Sequence, residues 1–185
     1  AFTLDRYEIT NLQYGQFVRA TGHKPPDVWS DLNYLKGKDY LPVVDVTWHD
    51  AVAYCFWAGK RLPSQDEWEL ACRGNVDRRL YPWGDMPDVC KANTQERKRE
   101  ELWAIGSYSF ADSPQESGDS PFGVTDMVGN VAEWTSSLYE ENERVIRGGS
   151  LFDAQDKEAS CVMRTHAEPN AFIPEIGFRC AMSAP

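Results

Sequence analysis

The chain has 185 residues, 42% of them hydrophobic, with seven Trp, eight Tyr and eight Phe, which is enough apolar surface for one sizeable core. Nineteen basic against 29 acidic residues give a formal net charge of −10, which repels phosphate backbones and anionic lipid surfaces and disfavours nucleic acid as a partner. No apolar run approaches the roughly 20 residues that cross a bilayer, and no signal peptide stands at Ala1, although a mature chain whose leader had been removed would read the same way.

In chain order, the alternation of Phe2, Leu4 and Tyr7 with polar residues predicts a short strand. Thr10 is placed to cap a helix running to about Ala20, with Tyr14, Phe17 and Val18 on one face and Gly22 at its end. Residues 23–40, with Pro25-Pro26, read as loop. After the apolar run Pro42–Val46, Thr47 caps a second helix whose inner face is Ala51, Tyr54, Cys55 and Ala58, closed by Gly59. Ser64-Gln-Asp-Glu67 is the clearest local signal: the hydroxyl and the carboxylate each satisfy an orphan amide at the start of a third helix, with Trp68, Ala71 and Cys72 inward and Gly74 beyond its end.

From Leu80 to Ser120, turn residues and aromatics without periodicity predict irregular coil with short strands, and so long a coil calls for an anchor such as a metal ion. Within it, Glu96, Arg97, Lys98, Arg99, Glu100 and Glu101 form a mixed-charge, solvated segment. Gly123–Trp134 packs glycines, oxygen donors and one Glu into a tight turn, the kind of sequence that suits calcium. Arg144–Arg147 and Ser160–Arg164 then read as strands, and Ile176–Met182 as a closing one.

Five cysteines, Cys55, Cys72, Cys90, Cys161 and Cys180, include no Cys-x-x-Cys pair, which disfavours zinc. They allow at most two internal bridges and leave one thiol, and spacing alone does not choose among the pairings. His23, His49 and His166 have no paired ligand spacing. No nucleophile elbow or phosphate-cradling loop is present, and the acidic loop around Glu140, Glu141 and Glu143 reads as solvated.

The ordered segments YEITNLQYGQFV, LPVVDVTWHDAVAYCFWAGKRLPSQDEWELACRG, LYPWGD, FGVTDMVGNVAEWT, RVIRGGS and GFRC resemble the formylglycine-generating enzyme and sulfatase-modifying-factor family over Tyr7–Cys180. The resemblance implies an α+β, C-type-lectin-like domain over residues 1–185, with few helices, much coil and bound calcium. The family's opening Gly-rich strand is not seen. By the family's pattern, one calcium site falls on Asp126, the carbonyls of Gly129 and Val131, and Glu133; a second would begin at Asn93, where the following QERKREEL departs from the usual loop. Ser150 and Arg164 match groove-lining positions, while the groove's tryptophan is Ala132 here.

The family's oxidase holds Cu(I) with two cysteines just after the Gly-Gly-Ser strand and converts a peptide cysteine to formylglycine; soft thiolates are what Cu(I) selects. In LFDAQDKEASCVMR, Asp153 and its neighbours replace the first thiol and no second cysteine precedes Cys161, so copper is disfavoured. The expected function is therefore a non-catalytic, calcium-stabilised module that binds a protein or peptide, or a subunit of a larger complex. The alternatives are an oxidase with a modified site and a carbohydrate-binding, lectin-like receptor. In secreted members the matching cysteines join as Cys55–Cys180 and Cys72–Cys161, which would place the protein in the periplasm, the secretory pathway or outside the cell, with Cys90 left over; four reduced, buried thiols in a cytosolic protein is the other possibility.

Overall fold

The computed structural model describes residues 1–30, 35–76, 78–98, 100–110, 113, 115–156 and 158–184. Three helices, α1 (Asn11–Thr21), α2 (Trp48–Trp57) and α3 (Gln65–Arg73), precede most of the sheet. Each starts on a complete capping box: Thr10 with Gln13, Thr47 with Asp50, and Ser64 with Glu67. Hydroxyl and N3 side chain satisfy each other's orphan amides, so the chain enters all three helices at a fixed angle. Gly22 and Gly59, at φ +71° and +73°, reverse the chain after α1 and α2 where a side chain would be strained.

Four short strands, β2 (Ala132–Leu138), β3 (Arg144–Arg147), β4 (Arg164–Ala167) and β5 (Ile176–Gly177), form a sheet in the order β4-β3-β2-β5. Its pairs are antiparallel except β2 with β5. A second, two-stranded sheet joins β1 (Phe2–Leu4) to β6 (Ala181–Ser183), Phe2 opposite Ser183, and so ties the two ends of the domain together.

Two of the expected strands are corrected. Residues 160–163 do not pair in the ladder, because Cys161 is bonded to Cys72, its amide donates to the Leu80 carbonyl, and the Arg147 guanidinium takes the Cys161 and Val162 carbonyls. The strand starts only at Arg164. The closing strand is interrupted at Phe178–Cys180, whose carbonyls at Phe178 and Cys180 receive the amides of Ile9 and Asp5 while Arg179 turns inward. Among the described residues of 80–120 there is a 3-10 turn at Gln95–Arg97 and an isolated Tyr81–Gly84 bridge, but no strand. Residues 31–34 of the predicted loop and Arg99 of the mixed-charge segment lie outside the described residues.

The core has two parts. The larger packs Tyr14, Phe17, Tyr54, Trp134, Ile146 and Phe178 between α1, α2 and the sheet, with Cys55–Cys180 inside it. The smaller packs Trp68, Met127, Val128 and Ala159 under α3, with Cys72–Cys161 inside it. Trp134 bridges the polar gap by donating to the Val46 carbonyl at 3.0 Å. Burying each such aromatic is worth about 2–3 kcal/mol, so most of the adhesion comes from a few rings.

Candidate functional site

The turn that links the two cores is built from backbone freedom and side-chain amides. Gly129 sits at φ +76°, and a Cβ there would collide with the Asn93 carbonyl, so only glycine fits. Asn130, also left-handed at φ +61°, accepts from the Asn93 side chain at 3.2 Å and the Trp103 amide at 3.0 Å, and donates to the Trp103 carbonyl and to Glu8. Asp126 accepts from the Gly106 amide at 2.6 Å. Gln155 accepts from the Asp88 backbone amide on its side-chain oxygen, and its side-chain amide donates to the Asp88 carbonyl and the Thr94 hydroxyl. These three polar side chains, Asn130, Asp126 and Gln155, pin the long coil.

Glu133, buried at 1% exposure, meets Arg179, at 0%. Arg179 Nε lies 3.0 and 2.8 Å from the two carboxylate oxygens and Nη2 2.7 Å from one of them, while Trp68 donates to Oε2 at 2.9 Å. The rest of the guanidinium donates to the carbonyls of Arg6 and Thr125. Burial alone would lower Arg179's pKa, but Glu133's charge and hydrogen bonds raise it overall.

A calcium ligand must offer open lone pairs. Glu133's are already filled by a guanidinium and an indole, so the implied set of Asp126, Gly129, Val131 and Glu133 does not fit calcium at Glu133. No group of three or more His, Cys, Asp or Glu that could hold a metal occurs among the described residues. The organic cation Arg179 does the neutralising instead, and its signal in the sequence was a lone Arg inside the apolar closing segment Ile176–Ala181.

One guanidinium faces three buried carboxylates, however, because Glu8 and Asp126 adjoin it. Burial, and then the charge of Asp126, push Glu8 well above the usual carboxylate range, and burial pushes Asp126 up too. Among the described residues, the side-chain hydrogen bonds to Glu8 come from the Asn130 amide, at 3.3 and 3.5 Å. A carboxyl whose pKa rises on folding favours the folded state below its unfolded value and loses that contribution as pH climbs through the folded value. Glu8→Gln is therefore expected to flatten the fall in melting temperature as pH climbs above the ordinary carboxylate range, and to leave the variant at least as stable as the parent at the upper end. A calcium-dependent rise in the parent's melting temperature that Glu8→Gln abolishes would show a metal ion neutralising the cluster in place of a proton.

A cleft of about 120 Å³ opens beside this frame. In the β3–β4 register Arg147 stands opposite Arg164, so the two side chains share a face. Both line the cleft, with Gly148, Gly149, Asp153 and Met163. Arg147 is buried; it donates to Glu69 at 2.7 Å and to the Cys161 carbonyl at 2.6 Å, lies over the Trp68 ring, and keeps Nε buried without a hydrogen-bond partner. Burial holds its pKa below the usual arginine value despite Glu69. Arg164 is exposed, bonded to Gln65 at 3.3 Å and lying over Tyr139.

Ser150 lies just behind the wall, where its hydroxyl and amide both donate to Asp153 Oδ2, at 3.0 and 2.7 Å. Ala132 is elsewhere: it is buried in the larger core beside Ile176 and does not line this cleft. Of the three expected cleft residues, then, Arg164 lines it, Ser150 shapes its wall and Ala132 is apart. Arg147 and Met163 were missed because the register that aligns them was hidden while residues 160–164 read as strand.

The cysteines pair as Cys55–Cys180 and Cys72–Cys161, tying α2 to the chain entering β6 and α3 to the segment before β4. Cys90 is free and exposed.

A frame of capped helices around a short sheet, closed by late-to-early bridges and much pinned coil, is a C-type-lectin-like fold of the formylglycine-generating-enzyme kind. Residues 1–184 match the model of the sulfatase-modifying factor enzyme 1-like domain, and the chain belongs to that family. It is 38% identical over 168 residues to the inactive C-alpha-formylglycine-generating enzyme 2 of Mus musculus, covering 81% of this chain and 52% of that protein. It is 34% identical over 249 residues to the formylglycine-generating enzyme of Mus musculus, covering 97% and 65%. Among solved structures, PvdO from Pseudomonas aeruginosa superposes with a TM-score of 0.76 at 23% identity, covering 97% of this chain and 79% of that one, which shows the fold alone. The chain spans about half the length of the inactive relatives it matches.

Proposed function

We propose that this is a non-catalytic member of its family, a peptide- or protein-binding module that serves within a larger protein or assembly. One observation carries the reading: after Gly-Gly-Ser the chain brings no pair of thiols. Asp153 is spent on capping Ser150, Cys161 is locked to Cys72, and the remaining free thiol, Cys90, is exposed and does not line the cleft. Cu(I) would find no two soft ligands there. The likeness to relatives named as inactive supports the same conclusion.

The cleft favours a peptide over a free small molecule. Its volume of about 120 Å³ is well below the roughly 300–1,000 Å³ of sites that enclose drug-sized ligands, so it takes one side chain of a longer ligand. Two disulfides favour an oxidising compartment, namely the periplasm, the secretory pathway or the exterior. Among the described residues no helix is long and apolar enough to cross a membrane.

The test is a displayed peptide library panned against the parent and against Arg164→Ala, a surface change that leaves the core untouched. Selected peptides are expected to bind the variant at least about tenfold more weakly, some 1.4 kcal/mol, at an unchanged melting temperature. Equal binding to both proteins would move the interface off this cleft.

A further inference from the structure

A second cavity, of about 250 Å³, lies between the end of α1 and the start of α2. Its apolar walls come from Pro25, Pro26, Val46 and Phe172, and its polar lining from Tyr14, Lys24, Asp45, Thr47, Asp50 and Asn170. Tyr14 is wholly buried, and its hydroxyl has no hydrogen-bond partner. A buried, unpaired hydroxyl destabilises the fold, and Tyr14 lines this cavity, the side from which a partner could reach it. Tyr14 and Asp50 line the same cavity.

The two acids differ in what they already hold. Asp50 is committed, with His23 Nε2 at 2.7 Å on one oxygen and Thr47 on the other. Asp45 accepts a backbone hydrogen bond from Val28, and no cation among the described residues is ion-paired with it. It also sits at φ +59°, a left-handed conformation that a non-glycine residue adopts at a cost. Lys24 lines the rim, but its ammonium is held by Asp27 at 2.8 Å.

We propose that this cavity binds a primary ammonium group on a short aliphatic stem, with Asp45 as its counter-ion and the Tyr14 oxygen as its second acceptor. The prolines and Val46 fit a methylene chain, and the half-exposed Phe172 ring also lines the cavity, where an aromatic face attracts a cation. The net charge of −10 draws cations to the molecule in the first place. A ligand of this chemistry is either a lysine side chain of another protein or a free alkylamine.

The experiment is a titration of the full chain, followed by NMR chemical shifts, with n-butylammonium as probe and 1-butanol and butyrate as controls of the same shape. Butylammonium is expected to bind at least tenfold tighter than either control, shifting Tyr14 and Asp45 first. Asp45→Asn, which keeps the shape and tolerates the left-handed backbone, is expected to erase the preference, and Tyr14→Phe to weaken binding several-fold, both with the parent's near-UV circular dichroism. Nα-acetyl-lysine methylamide against cadaverine then separates the sources: tighter binding of the first points to a protein lysine, of the second to a free amine, and either supports the cation site. Indifference to charge in the parent protein, or an unchanged preference in folded Asp45→Asn, would overturn the proposal and leave a cavity filled by water. The β3–β4 cleft shares no lining residue with this cavity, so that failure leaves the peptide-binding reading untouched.

Discussion

Replacing Cys55 and Cys180 together by alanine is expected to lower the unfolding free energy by about 4–5 kcal/mol. The bridge closes a loop with a sequence separation of 125 residues, and the entropy it withholds from the unfolded chain grows with the logarithm of that number. Both sulfurs are fully buried in the larger core, where Tyr14, Tyr54 and Phe178 also meet, so the lost volume adds to the loss. Natural domains have only about 5–15 kcal/mol to spare, and this one devotes a long stretch to coil. Urea unfolding of the double variant should therefore show a midpoint near zero denaturant. The Cys72–Cys161 pair, at a separation of 89, should cost only a few tenths of a kcal/mol less. A loss below about 1 kcal/mol for either pair would mean that the unfolded chain is already compact.

Arg179→Met is expected to be comparably severe, at about 3–5 kcal/mol or outright loss of folding, because it strands a charge inside the protein. Glu133 would lose its guanidinium while two further buried carboxylates, Glu8 and Asp126, stand beside it. The carbonyls of Arg6 and Thr125 would lose their donor as well. The paired change Glu133→Gln with Arg179→Met removes both charges and should recover part of the deficit. Differential scanning calorimetry of the three proteins checks this. If the single variant melted within a few degrees of the parent, the cluster would have to be neutralised by something other than Arg179.

What the sequence disclosed was local. The capping boxes at Thr10, Thr47 and Ser64 use residues three apart, so the helix starts were legible to the residue. The inward faces of α2 and α3 followed from the 3.6-residue period. Properties that depend on distant residues were not legible. Glu133 read as a hard oxygen ligand because nothing near it in sequence says that Arg179, 46 residues later, takes both its oxygens. Ala132 read as a groove position by family likeness, yet parallel pairing with Ile176 turns it into the core. The β4 boundary was missed for the same kind of reason: a disulfide and a buried guanidinium hold residues 161–162 out of the ladder, and neither is visible in alternation.

The resemblance to the family, by contrast, predicted both cysteine pairings, because the motifs that carry it fix which helix and which late segment meet. It is the position of the thiols, more than any other feature, that carries the proposal of a non-catalytic domain on this frame.

The most direct measurement of that claim starts with Cu(I)-loaded, fully oxidised protein incubated in air with a peptide that contains one cysteine in a sulfatase-like context. Mass spectrometry then follows the peptide, and an oxygen electrode follows the solution. With Asp153 in place of the first thiol and Cys161 bonded to Cys72, the peptide's cysteine is expected to stay unconverted and oxygen uptake to match the protein-free control. Formylglycine in the peptide, formed over repeated turnovers and lost when Asp153 is changed to Ala, would contradict the account at its centre.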